Sequence, residues 1–164
     1  VDELTNPLWP PALTPYLASL PALPLTLARQ PSGQSTETQT ARTVAAMNGM
    51  ALRDATTLAV VRATQQALHG LPYDARPSEK AARIFWWVKE HVRFRDDPVA
   101  DELLLAPSLL LAMPQPEGDC DDFSMLTAAM LTAARVPWVF VTVAADHTDP
   151  ARFSHVYLHA MVED

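Results

Sequence analysis

The sequence holds a single cysteine, Cys120, which excludes an internal disulfide and any multi-cysteine zinc site. Three roles remain for that thiol: a buried structural residue, a share in a mixed metal site, or a nucleophile. Basic residues are also few, with 12 Lys and Arg against 19 Asp and Glu for a formal charge of -7. A surface of that average sign repels a phosphate backbone, so nucleic acid is not an expected partner. No stretch approaches the roughly 20 consecutive apolar residues of a membrane-spanning helix, and no basic segment followed by an apolar run opens the chain. A membrane is therefore not an expected partner, and a cytoplasmic location is the default expectation. What the 164 residues do have is a 49% hydrophobic composition, enough for one domain with a core.

Proline sets the first boundary. Seven of the fifteen prolines fall within the first 31 residues, at Pro7, Pro10, Pro11, Pro15, Pro21, Pro24 and Pro31. Each fixes φ and removes a backbone donor, so residues 1–34 are expected to form an extended arm and neither a regular helix nor a central strand. Residues 35–77 read as a helical part. Ser35 and Glu37 start one helix over Val44, Met47 and Met50, and a break near residues 49 to 54 leaves Asp54 as N-cap of a second helix that stops at Gly70. Ser78 is the expected cap of a third helix, with Trp86 and Trp87 as core and rim anchors.

Beyond Phe94 the composition changes, with eight carboxylates and no Lys or Arg from Asp96 to Ala134. The default expectation for such a run is a solvated acidic face. Pro107 and Ser108 open a short helix, and Pro114, Pro116 and Gly118 predict an irregular loop that delivers Cys120. Phe123, Leu126, Ala129, Met130 and Ala133 recur at helical spacing, which puts Cys120 in the first turn of a helix ending near Arg135. Trp138 to Val143 reads as a buried strand and Ser154 to Val162 as a second, with turn residues between them. Helices, a cysteine helix and then strands predict an α+β fold.

A thiol attacks as thiolate, which a helix N-terminus and a partner imidazolium both favour. The first-turn N–H groups, that of Cys120 included, point where an oxyanion could form. His155, on the strand after the cysteine helix, is the best placed partner in sequence. Asp119, Asp121 and Asp122 oppose a second negative charge, so their side chains are expected to point away from the sulfur.

The run Gly118-Asp119-Cys120-Asp121-Asp122-Phe123, with Leu126, Ala128, Ala129, Leu131, then Ala134-Arg135-Val136-Pro137 and Ser154-His155-Val156-Tyr157, resembles the transglutaminase-like superfamily of papain-type thiol enzymes. The resemblance covers roughly residues 78–164, and Trp87 to Val92, Asp97-Pro98 and Glu102-Leu103-Leu104 are similar to small stand-alone bacterial and phage-encoded members. It implies Cys120 as nucleophile, His155 as general base, a cysteine helix packed on an antiparallel sheet, and a protein or peptide substrate attacked through an acyl-enzyme. No cofactor is expected, the oligomeric state is open, and association with a phage particle is an alternative location. The acid or amide that orients the histidine in such enzymes is not evident. On one strand Asp164 would lie roughly 30 Å from His155, so residues 78–164 are expected to be a C-terminally incomplete core. Asp97 is another acid that could substitute.

Two rival chemistries are weaker. Cys120, His155 and His159 could ligate a metal, but on a strand the two histidines stand about 13 Å apart, too far for one ion. Asp119, Asp121 and Asp122 resemble part of a calcium loop without its glycine and terminal glutamate. No metal is therefore expected, and His69, His91 and His147 are read as structural. The non-enzymatic alternative is a catalytically inactive transglutaminase-like interaction or assembly module, related to phage, with the arm as its contact.

Overall fold

In the computed structural model, residues 25–28, 36–96, 101–145, 147–148 and 153–163 are described. Helix α1 spans Thr36–Asp54, α2 Leu58–Ala67, α3 Pro77–His91, α4 Pro107–Ala112 and α5 Cys120–Ala133. The strands are β1 Leu25–Ala28, β2 Arg93–Phe94, β3 Asp101–Leu104, β4 Glu117–Gly118, β5 Trp138–Val143 and β6 His155–Ala160. The predicted α+β class is what the chain adopts. Most of the predicted arm, residues 1–34, lies outside the described residues; the part that is described, β1, pairs antiparallel with β3 so that Leu25 faces Leu104.

Helix α5 is the centre of the molecule. Its residues Leu126, Ala128, Ala129, Met130 and Leu131 pack with Val60, Ala63 and Ala67 of α2 and with Ile84 and Val88 of α3. On another side, Met125 joins Met47 and Met50 of α1, Leu104, Ala106 and Val156 in a second cluster against which Cys120 is packed. A helix with apolar neighbours nearly all round is one that the rest of the fold is built upon.

Helix ends differ from expectation in ways that physical chemistry explains. Helix α1 runs through Gly49 without a break and ends at Asp54. The N-cap of α2 is Thr57, whose hydroxyl accepts the Val60 N–H, and not Asp54. Asp54 is 2% exposed, and its carboxylate instead accepts both the N–H and the hydroxyl of Ser108, at 2.9 and 2.6 Å. The residue that precedes α4 is Ala106, which has no side-chain acceptor, so α1 supplies the cap from 54 residues away. Helix α3 likewise starts one residue earlier than Ser78, with Pro77 in its first turn and the Glu79 carboxylate accepting the Arg76 N–H. Its core anchors are Ile84 and Val88, one turn apart, whereas Trp86 is 55% exposed and Trp87 packs partly buried at the edge of the core.

Arg135 closes α5 with φ of 59°, and the Arg135 and Val136 N–H groups bond back to Thr132 and Leu131. This is a helix-ending motif that more commonly holds glycine. It turns the chain into β5, which pairs antiparallel with β6 from Trp138 and Ala160 at one end to Val143 and His155 at the other. The predicted buried strand at 138–143 is only part-covered: Trp138 is buried, but Val139 is 39% exposed. The reason is that β5 and β6 form a two-stranded sheet with α5 against one face.

Candidate active site

The turn before Cys120 is held from several directions. Residues predicted as irregular loop end in strand β4, which pairs in parallel with β2, and the N–H groups of Arg93 and Arg95 bond to the carbonyls of Pro116 and Gly118. An ion pair between Arg95, the residue after β2, and Glu117 of β4 reinforces this pairing. Gly118 is a close-approach position, because a Cβ there would lie 2.3 Å from the Asp122 carboxylate. That carboxylate cannot swing away cheaply, since it is 1% exposed and accepts the Leu105 N–H at 2.8 Å. Asp122 thus ties the first turn of α5 to the junction between β3 and α4.

Cys120 is the first residue of α5, as predicted, and Asp119 is its N-cap, accepting the Asp121 N–H at 3.0 Å. The Cys120 N–H itself takes no partner among the described residues. The sulfur has two neighbours of opposite effect. The backbone N–H of Val156 donates to it, and the thiol donates to the Asp121 carboxylate at 3.6 Å. Burial pushes the thiol up from 9.0 to about 12, the negative charges of Asp121 and Asp119 add to the rise, and the Val156 N–H opposes it. At neutral pH this shift favours the protonated thiol.

The expectation that all three aspartates turn away from the sulfur is therefore wrong for Asp121. The expectation of a solvated acidic face fails for Asp121 and Asp122, which are 6% and 1% exposed, whereas Asp96 is exposed. Their buried oxygens are placed by helix geometry: Asp119 caps, Asp121 lies beside the thiol and Asp122 braces the neighbouring junction. The first-turn donors proposed for an oxyanion are reduced accordingly, since the Asp121 N–H is spent on the cap.

His155 opens β6 and is exposed, paired across the ladder with Val143. The structure brings the sulfur to the backbone of the next residue, Val156, while no hydrogen bond joins the His155 ring to Cys120 among the described residues. Alternation along β6 puts Val156, Leu158 and Ala160 toward the core and His155, Tyr157 and His159 on the other face. Because β6 is extended, His155 and His159 keep the wide spacing that disfavours a shared ion. Ligand atoms of Asp119, Cys120 and Asp121 lie within 4.8 Å of one another, but Asp119 is engaged in the cap and Cys120 and Asp121 in the thiol hydrogen bond. His91 ends α3, stacked on Trp87 and with Nδ1 2.7 Å from the Trp87 carbonyl oxygen, which is a structural role. His69 and His147 lie in turns. Asp97 and Asp164 fall outside the described residues.

Two features had no sequence signal strong enough to find them. The Val156 N–H is a backbone donor, invisible in side-chain chemistry. The inward turn of Asp121 runs against its charge.

A single thiol stands at the head of a buried helix that packs against an antiparallel pair of strands in an α+β fold. The chain belongs to the transglutaminase-like superfamily, whose family profile matches residues 62–163. That match begins inside α2 and takes in the whole of α5, β5 and β6. No curated protein and no solved structure matches the chain.

Proposed function

We propose that this chain is a thiol-dependent acyl-transfer enzyme acting on amide or peptide bonds, with Cys120 as nucleophile and His155 as general base. The observation that carries the reading is the contact between the Cys120 sulfur, at the first position of α5, and the backbone N–H of the residue that follows His155. That contact brings the backbone of β6 to the sulfur, and the reaction requires the His155 imidazole to turn from the exposed face of β6 toward it.

In this mechanism the thiol proton passes to the His155 ring as sulfur adds to the carbonyl carbon. The Cys120 N–H and the positive end of α5 stabilise the oxyanion. Collapse of the tetrahedral intermediate expels the amine, which takes the proton from His155, and leaves a thioester on Cys120. Water then gives a proton to His155 and attacks the thioester, releasing the acid and restoring the thiol. Hydrolysis is the favoured outcome because it needs no second site for an acceptor amine. The protein or peptide nature of the substrate belongs to the same proposal.

The test is turnover of a panel of N-acyl peptide esters and amides by the chain and its Cys120→Ser and His155→Ala variants. Wild-type turnover with a loss of about 100-fold or more in each variant is expected. Absence of turnover by the wild-type chain, or undiminished turnover in the variants, would favour a binding or assembly role.

A further inference from the structure

We propose that Phe94, leaning on Phe123, sets substrate specificity by taking an aromatic or large aliphatic side chain of an extended peptide, a few residues from the scissile carbonyl. The inference deepens the acyl-transfer reading above and rests on it for the word substrate.

A scattered exposed apolar side chain needs no explanation. Phe94 is 65% exposed, but it is neither isolated nor remote from the thiol. Its ring lies 6.4 Å from that of Phe123, tilted by 44°, and Phe123 follows Cys120 by one turn of α5. In the parallel pairing of β2 with β4, Phe94 stands opposite Gly118, which precedes Cys120 by two positions. Neighbouring strands are about 4.8 Å apart and two residues span at most about 7 Å, so the Cα atoms of Phe94 and Cys120 are within about 12 Å. An extended peptide covers that distance in about three to four residues.

The face on which Phe94 lies follows from its partner. Paired residues share a face of a sheet, and a Cβ on Gly118 would point at the Asp122 carboxylate of α5. The Phe94 side is therefore the one turned to α5, and Gly118 has no side chain to cover the ring. Arg93 and Glu117 share the opposite face, where Arg93 reaches Gln115 and Arg95 pairs with Glu117. The two cations beside Phe94 in sequence are thus engaged away from the aromatic pair.

The backbone adds a second observation. The N–H groups of Arg93 and Arg95 both bond to β4, so alternation turns the N–H and carbonyl of Phe94 to the other edge of β2. Among the described residues β2 has no strand on that edge. An extended segment added there pairs with the Phe94 backbone and sets one of its side chains beside the Phe94 ring. The edge selects an extended chain, and the rings select an apolar side chain.

Because Cys120 is the only cysteine, its alkylation followed by intact mass reports on this one thiol. Rates are measured for the wild-type chain, Phe94→Ala and Phe94→Leu with blocked oligoalanyl chloromethyl ketones in which each alanine in turn is replaced by phenylalanine. Iodoacetamide, which carries no peptide, is the control. In the wild type, phenylalanine at one position is expected to raise the rate about tenfold or more over the all-alanine reagent. Phe94→Ala should reduce that advantage to about twofold or less, Phe94→Leu should keep most of it, and iodoacetamide should react alike with all three. No advantage at any position in the wild type, or an undiminished advantage in Phe94→Ala, overturns the proposal. A matching fall with iodoacetamide overturns it too, since that reports a disturbed thiol and not a lost subsite. The measurement needs no turnover: side-chain preference in a chain that cleaves no ester or amide removes the catalytic reading and leaves the subsite standing, whereas turnover without preference removes the subsite alone.

Discussion

At the residue scale, the proton on Cys120 is itself a stabilising feature. Burial raises the folded thiol from 9.0 to about 12, so the unfolded chain loses its proton first as pH rises. The folded state binds more protons in that interval, and stability falls with increasing pH. The contribution is fully present below about pH 9 and is lost progressively toward about pH 12. Urea denaturation of the wild-type chain and of Cys120→Ser across this window is expected to give a steeper alkaline decline for the wild type. Parallel declines would mean that the thiol is no more buried than in the unfolded chain. The position of Cys120 was legible in the sequence, because Gly118 before it and the apolar spacing from Phe123 onward fix the helix start. The direction of the Asp121 side chain was not, since local charge argues for solvent and only the packed surroundings turn it inward.

At the scale of elements, the turn before Cys120 is held by neighbours distant in sequence. Asp54 at the end of α1 caps α4, and α4 follows the Leu105 junction that Asp122 grips. Asp54→Ala would leave the Ser108 N–H and hydroxyl without their acceptor and deprive Arg53 of a partner at 2.8 Å. A loss of about 2 kcal/mol or more is expected from urea denaturation, with Asp54→Asn losing less because one oxygen remains for Ser108. Equal losses in both variants would show that charge, and not capping, is what counts. The existence of α1 to α5 and of the β5–β6 pair was readable from period and turn chemistry. The two short pairings were not: β2 with β4 and β1 with β3 are joined by residues more than 20 positions apart, with too few residues to carry a pattern. Capping failed for the same reason, because Asp54 follows the local rule for an N-cap yet serves a helix elsewhere.

At the scale of the molecule, α5 separates two clusters, and only one of them surrounds the thiol. Met125 and Leu131 are both almost completely buried, at 0% and 1%, on the same helix. Truncation of either to alanine is expected to cost about 2–5 kcal/mol. Their effects on chemistry should part, however. Met125→Ala opens the cluster against which Cys120 packs and admits water to the sulfur, so alkylation near neutral pH should quicken; Leu131→Ala should leave it unchanged at matched folded fraction. A quickening in both would indicate general loosening, contrary to the division into two clusters.

The central claim is that Cys120 carries the acyl group. The most direct measurement is the intact mass of the chain, quenched in acid during reaction with an activated N-acyl peptide ester and then mapped by peptide mass. The account predicts one acyl addition located on Cys120, absent in Cys120→Ser and slow to form in His155→Ala. An unmodified chain at every time point, or an acyl group mapped to another residue, would contradict it.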